Sequence, residues 1–433
     1  METNQTNFEE NDEFIRLKDS LVNQIVHEFD ISSVPEEDRN QMMVDLIIKK
    51  FHDQKISLSD EIRDPLFHQI IDEILGFGIL QPFLDDPEVS GILVNGKDNI
   101  FITKNNELIH LNKQFRSNDE LVQLIFRCLK RLGCVLDPDN PTLDYRMSNG
   151  AQLNIALPPI AVENPVISIH KSTACTMSMN DLLEKGTLSN SISDFLHACV
   201  QARLNIIVYG LGGTGKTTLI NGLAGFIKDT ERLVTIEETP QFTIKQNQVI
   251  RLESRFPRMD GKPNSSSSDL IHLAMKMNPD RLIVDELHGS EGLVFLQALN
   301  TGCSGSMATL HANSPLDAIS RLETMCFMTG ISYPMRVIHE QIASALDLMI
   351  HISRYKDGTR RLATITEISG MESDNIILTD IFRFEQTGAD HDGRVLGHLK
   401  PTGIRPLFAS RLEANGYKLS PEVFGTNLVN YLQ

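Results

Sequence analysis

Residues 210–217 read GLGGTGKT, a complete G-x-x-x-x-G-K-[ST] run. Such an octapeptide constrains the fold sharply, because its chemistry needs a strand entering it and a helix leaving it. Both flanks are present. The apolar run LNIIVY at 204–209 precedes it, and Leu219, Ile220, Leu223, Ala224 and Ile227 recur after it at helical spacing. Gly210, Gly212, Gly213 and Gly215 let the loop amides, with that of Thr214, turn inward around phosphate oxygens, and the helix start adds positive dipole potential. Lys216 is placed to reach β- and γ-phosphates, Thr217 offers a hydroxyl to Mg²⁺, and Thr218 continues the nucleotide-binding run.

Composition narrows the partners. A chain of 433 residues, 41% hydrophobic, has room for two or three globular domains. The net charge of −17 argues against broad binding to nucleic acid or anionic lipid, and the lack of Trp, with only six Tyr, leaves few platforms for stacking bases. Six scattered cysteines without a CxxC pair read as reduced thiols of a cytoplasmic protein. No run approaches 18 apolar residues, and the acidic start METNQTNFEENDEF is not a secretory signal. Contact with a membrane is therefore expected only through protein partners.

Three sections follow from periodicity. Residues 1–64 read as a helical extension, with Phe14, Leu17, Leu21, Ile25 and Phe29 on one helix face and a second helix over 38–51 presenting Met42, Leu46 and Ile47. Residues 65–180 read as a mixed α/β domain. It has short β-runs at 91–94, 100–102 and 166–169, turns at Asn95-Gly96 and Asn149-Gly150, and a helix through Leu121, Leu124, Ile125 and Leu129. The polar, small-residue stretch 172–189 is expected as a hinge. From 190 to 433 strands and helices alternate, with strands at 204–209, 233–237, 249–252, 282–285 and 307–310, implying a largely parallel sheet covered by helices. DGKPNSSSSD at 260–269 reads as a surface loop, and runs at 348–352, 362–365 and 376–384 as further strands of a C-terminal lobe.

Hydrolysis of a bound nucleotide also needs carboxylates. The run LIVDE at 282–286 is an apolar strand ending in two acids. Adjacent strand residues point to opposite faces, so the two acids are expected to divide the work, with Asp285 taken for the magnesium shell and Glu286 for the attacking water. Glu237 and Glu238 end another strand in the same way, and their acids are further candidates to face the metal. His311 closes the strand 307–310. Taken alone it reads as a structural histidine, with sensing of the γ-phosphate or a bond to a catalytic acid as the functional alternative.

These segments together resemble a known family. The phosphate loop, IEETPQF, MNPDRLIVDELHG, LNTGCSGSMATLHANS and RLETM are similar, in order, to the Walker A, acidic, Walker B and histidine boxes of the type II and type IV secretion traffic ATPases. ILGFGILQPFLDDPEVSGILVNG, GMESDNIILTDIFRFEQTG and GHLKPTGIRPLF resemble the CpaF-like branch that serves tight-adherence (Tad/Flp) pili. The resemblance spans about residues 65–425. It implies an α/β chain: a RecA-like P-loop ATPase domain preceded by a smaller mixed α/β (PAS-like) domain and the helical extension. It further implies a homohexameric, ATP- and Mg²⁺-dependent motor, cytoplasmic and peripheral to the inner membrane through a platform protein, which assembles a pilus, with retraction left open as a second direction. By resemblance Glu238 joins the acidic box, Glu286 is the Walker B glutamate and His311 the histidine-box residue, these three being catalytic. Glu237 joins Thr217 and Asp285 at the metal, and Arg146 reaches the nucleotide from the N-terminal domain. The chain departs from the pattern at Leu211 and Gly212 and, where arginine or histidine is usual, at Gln152, His170-Lys171, His288 and Cys303. Those departures raise a second expectation, a catalytically weak, nucleotide-gated regulator of the same machine. A nucleic-acid translocase is the remaining alternative.

Overall fold

The computed structural model describes residues 12–28, 36–56, 58–104, 107–136, 141–147, 149–171, 177–254, 265–391, 393–417 and 421–425. The chain forms two compact units, Met1–Thr173 and Ala174–Gln433.

The first unit opens with helices Asp12–Glu28, Glu36–Asp53 and Asp60–Leu75, which bury Leu21, Ile25, Met43, Ile47, Leu66 and Ile70 against one another. Met43, not the expected Met42, enters this core; Met42 stays exposed. Phe29 lies outside the described residues. The third helix runs through residue 65, so the expected boundary at 64/65 falls inside one element. A six-stranded antiparallel sheet follows, in the order β3-β2-β1-β6-β5-β4, from β1 (Val89–Asn95), β2 (Ile100–Lys104), β3 (Glu107–His110), β4 (Thr142–Arg146), β5 (Gln152–Ala156) and β6 (Val166–His170). Helix Asn118–Leu132 packs on it through Leu121, Leu124, Ile125 and Leu129. Its start is fixed by Ser117, whose Oγ accepts from Glu120 N at 3.2 Å. Ion pairs Arg116–Asp19 and Arg127–Glu73, with Lys18 3.7 Å from Glu73, join the helical extension to this α/β part.

The second unit is built on nine strands. β7 (Ile206–Tyr209), β8 (Leu233–Glu237), β9 (Val249–Glu253), β10 (Arg281–Leu287), β11 (Met307–Leu310) and β12 (Leu348–Arg354) are mutually parallel, in the order β12-β7-β11-β10-β8-β9. β13 (Arg360–Glu372), β14 (Asn375–Ala389) and β15 (Val395–Pro401) continue the sheet antiparallel beyond β12. β7 lies near the centre with all four residues fully buried. Ile206 and Val208 face one hydrophobic cluster and Ile207 and Tyr209 the other. Helices on both faces explain why this strand reads as a continuous apolar run rather than an alternating one.

Helix enters the described part of two stretches expected as hinge and loop; residues 172–176 lie outside the described residues. The stretch 172–189, expected as a hinge, contains helix Met179–Glu184, closed by a capping box between Ser178 and Asp181 and buried through Met179 and Leu182. The serine run likewise enters helix Ser267–Met275, where Ser266 and Asp269 form a second capping box; residues 255–264 lie outside the described residues. In both places S-x-x-D was the overlooked start signal. At the amino ends of the parallel strands Arg281, 1% exposed, makes a two-pronged pair with Glu231 (2.8 and 2.9 Å) and donates to the carbonyls of Val200 and Gly305.

Candidate nucleotide site

The carboxyl ends of β7, β10 and β11 gather the site. After β7 the chain turns at Gly210, where any Cβ would lie 2.2 Å from the Ile352 carbonyl oxygen, so only glycine passes. Gly213 and Gly215 take left-handed φ values of 71° and 101°, turning the loop into helix Lys216–Ala224. Thr214 Oγ1 donates to Leu211 O at 2.8 Å and braces the loop. Lys216, 7% exposed, reaches back over the loop: its Nζ lies 3.1 Å from Leu211 O and 3.2 Å from His311 Nε2. Burial pushes the ammonium below its usual range, and the charges of Glu286 and Asp285 oppose that shift.

The expected alternation of Asp285 and Glu286 does not hold, and the reason is a β-bulge. Val284 pairs with Ala308 but Leu287 with Leu310, so β10 carries one extra residue. Glu286 absorbs it with a left-handed φ of 57°. Leu282, Val284 and Leu287 thus stay on one buried face while both acids act on Lys216. Thr217 Oγ1 and Thr309 Oγ1 donate to Asp285 Oδ1 at 3.1 and 3.0 Å. Burial, with the carboxylates of Glu237 and Glu286 nearby, raises Asp285 to about 6 against those two bonds. Thr309 also accepts from Glu286 N at 2.6 Å, and so sets both acids. The sequence reading missed Thr309, since nothing but its place at a strand end marks it.

His311 Nε2 lies 2.9 Å from Glu286 Oε1 as well as 3.2 Å from Lys216 Nζ. One ring nitrogen cannot accept from the ammonium and donate to the carboxylate together, so these contacts are alternatives set by the tautomer.

The second acid pair behaves differently from expectation. Glu237 is 1% exposed and fully engaged: Oε2 accepts from the amides of Gln241 (2.6 Å) and Phe242 (2.8 Å), and Oε1 from Thr235 Oγ1 (3.2 Å) and Arg251 (3.4 Å). A carboxylate with four donors has no lone pair left for a metal, so Glu237 holds the loop after β8 instead. Glu238 Oε1 lies 3.3 Å from His288 Nε2. His288 Nδ1 faces the Glu286 carbonyl at 3.1 Å, and Glu291 Oε1 accepts from the amides of His288 (2.7 Å) and Gly289 (2.6 Å). Burial lowers the pKa of His288. The Glu286 carbonyl and the carboxylates of Glu291, Glu238 and Glu286 outweigh it and hold the imidazole above its usual range.

The remaining departures are accounted for locally. Lys171 Nζ donates to the carbonyls of Phe83 (3.3 Å) and Asp86 (2.6 Å), Gln152 Nε2 to Asp144 Oδ1 (3.2 Å), and His170 Nε2 meets Ser168 Oγ at 3.1 Å. Cys303 is 2% exposed, 3.3 Å from Met275 Sδ, at the other end of β11 from His311. Arg146 ends β4, opposite Gln152, in the first unit. Thr218 lines a cavity of about 270 Å³ beside the loop.

For a nucleotide and Mg²⁺ the donor set fits: inward-turned glycine amides, an ammonium above them, and a hydroxyl hydrogen-bonded to a carboxylate, the oxygen ligands Mg²⁺ prefers. A central parallel strand feeding such a loop into a helix, with acids at the end of the strand two places along the sheet, defines the P-loop nucleoside-triphosphatase class in its RecA-like form. Residues 73–378 match the type II/IV secretion system protein family, and the chain belongs to that family. It is 28% identical over 306 residues to a putative conjugal transfer protein of Mycobacterium tuberculosis, across 69% of this chain and 86% of that protein. It is 24% identical over 304 residues to VirB11 of Agrobacterium tumefaciens, across 64% and 88%. Among solved structures, the VirB11 ATPase from the Brucella suis type IV secretion system aligns with TM-score 0.37 and 22% identity, covering 66% of this chain and 94% of that one. The pilus retraction motor PilT with bound ADP aligns with TM-score 0.48 and 19% identity, covering 66% and 81%. Among the described residues no helix is long and apolar enough to cross a membrane.

Proposed function

We propose that this chain is an ATP hydrolase that drives a secretion or pilus machine of the Tad/Flp type, working as a homohexamer on an inner-membrane platform protein from the cytoplasmic side. The observation that carries the proposal is the placement of the loop against β10: His311 Nε2 stands within reach of either Lys216 or Glu286, and Thr217 bonds directly to Asp285. Lys216 and the loop amides hold the β- and γ-phosphates, and Thr217 and Asp285 hold Mg²⁺, which when bound offsets charge on the phosphates. When Lys216 turns to phosphate, His311 is released from it and free to donate to Glu286. Glu286 then orients the attacking water and takes up its proton. Arg146 is assigned to the nucleotide from the first unit, and Glu238 to a supporting role through His288. Steady-state phosphate release tests the reading. ATP turnover should be lost in Glu286→Gln with binding kept, and binding itself lost in Lys216→Ala; a Lys216→Ala protein that binds ATP like the parent refutes it.

One observation favours the weaker-enzyme reading. Lys171, which stands where the resemblance expects an arginine, spends its ammonium on two backbone carbonyls of its own unit. Arginines at such positions offset charge in the transition state, and their loss costs roughly 10³-fold or more in rate. On this reading the chain binds ATP tightly and turns it over slowly, and Lys171→Arg does not restore speed because the carbonyls hold that side chain as well.

A further inference from the structure

Beside the phosphate loop lies the cavity of about 270 Å³ lined by Met177, Leu182, Thr218, Ile352, Thr359 and Arg360, among others. None of Lys216, Asp285, Glu286 or His311 lines it. Gly215 and Thr218, the loop residues that do, belong to the start of helix Lys216–Ala224. The last of the lining residues comes from a distant part of the chain. The turn between β12 and β13 brings Arg360 over the loop, with Nε donating to Gly213 O at 3.0 Å and Cδ 3.4 Å from where a Gly215 Cβ would stand.

That turn is rigid. Asp357 Oδ1 accepts from Thr359 N (2.9 Å) and Thr359 Oγ1 (2.7 Å), and Oδ2 accepts from Val395 N (2.6 Å), tying the turn to the start of β15. Tyr355 N donates to Thr359 O at 2.8 Å. The neighbouring Arg361 is engaged with Val395 O (2.7 Å) and the Phe384 ring. Arg360 is different: among the described residues no carboxylate pairs with it, and its one hydrogen bond is to the loop carbonyl. Its two terminal NH₂ groups remain available. Lys216 shows the same arrangement, resting on Leu211 O. The loop's own carbonyls thus hold two cations, Lys216 at Leu211 and Arg360 at Gly213.

We infer that Arg360 is a second phosphate-binding cation of this site, supplied within the chain by the β12–β13 turn, which grips the phosphate nearest the nucleoside while the adjoining cavity takes the nucleoside itself. The inference rests on the proposed nucleotide-binding reading. Its physical basis is that a guanidinium offers phosphate a planar fork of donors, which a carbonyl uses only in part. Because Arg360 stands on the Thr218 side and Lys216 on the His311 side, Arg360 serves ATP and ADP alike.

Equilibrium titration of full-length protein with fluorescent ATP and ADP analogues tests this in Arg360→Ala, Arg360→Gln, Arg360→Lys and Lys216→Ala. Arg360→Ala should weaken both nucleotides about tenfold. Arg360→Gln keeps an N–H donor for Gly213 O but no charge, and should be as weak as alanine; Arg360→Lys keeps charge without the fork and should recover part of the loss. Arg354→Ala, across the same strand pair, controls for damage to the turn and should bind like the parent. Loss confined to ATP, no loss in Arg360→Ala, or full rescue by Arg360→Gln each overturns the inference, the last by reducing Arg360 to a brace for the loop. Lys216→Ala keeps the two readings apart: if it still binds, the nucleotide reading fails; if it does not bind while Arg360→Ala does so normally, only Arg360 is misassigned.

Discussion

Replacing Asp285 by Asn should make the metal-free protein more stable while destroying its chemistry. Asp285 is held at about 6, against 3.8 for an ordinary aspartate, chiefly by burial. A carboxyl whose folded pKa lies above its unfolded value binds its proton more tightly in the native state. Stability therefore falls as pH rises from about 4 to about 6, and the whole penalty stands at pH above about 7. At 1.36 kcal/mol per pH unit the gap from 3.8 to about 6 is worth about 3 kcal/mol. Asparagine carries no charge, and its Oδ1 still accepts from Thr217 and Thr309, so the variant escapes the penalty and keeps both bonds. For a unit of this size the gain corresponds to a Tm rise of roughly 6–12 °C. Melting should be followed in chelator at about pH 8 and about pH 4.5. The gain should be large at the higher pH and mostly gone at the lower one, with Mg²⁺-dependent ATP turnover abolished throughout. A variant that melts at or below the parent at the higher pH, or gains equally at both, refutes the burial argument.

Other substitutions separate roles within the site. Glu286→Gln should lower phosphate release roughly 100-fold or more while ATP affinity measured by titration stays near that of the parent. Glu237→Ala should cost about 2–3 kcal/mol in urea unfolding, because the amides of Gln241 and Phe242 lose their acceptor, yet leave the Mg²⁺ concentration for half-maximal turnover unchanged in whatever folded fraction remains. Arg281→Met should cost up to about 3–5 kcal/mol by the same assay, since it removes two of the donors to the Glu231 carboxylate and leaves it to Arg203. Burial pushes Glu231 up, but Arg281 and Arg203 together hold it below its usual range; their stabilisation is present above about pH 4.5 and fades as pH falls through the folded value, so the parent's acid destabilisation should flatten in this variant.

Where one physical rule governs an element, the sequence shows it. The strand 204–209 and the helix after it were legible because the glycine loop can be built nowhere else, although the strand itself starts at Ile206. Strands 233–237 and 307–310 were legible as fully buried apolar runs. Legibility failed where two rules competed. Small polar residues at 172–189 and 260–269 suggest loops, yet serine three residues before aspartate is also how a helix begins, and tertiary burial of Met179 and Leu182 decided the first case. Strict alternation placed Asp285 and Glu286 on opposite faces, and no residue pattern announced the extra position that β10 carries. Glu237 looked like a ligand because its neighbours in space, Gln241 and Phe242, take its oxygens by backbone amides that any residue would offer. Arg360 escaped notice since 144 residues of chain separate it from Lys216.

The left-handed backbone of Glu286 bears on how this protein can be engineered. A residue with a Cβ pays about 1 kcal/mol to sit there, and glycine pays almost nothing. Libraries selected only for heat tolerance should therefore drift toward glycine at 286 and toward asparagine one position earlier, enriching sturdy molecules that lack both carboxylates of the proposed site. On the proposed function, thermal robustness and ATP turnover pull in opposite directions at these two adjacent codons, so any directed-evolution campaign on this chain needs a turnover screen at every round.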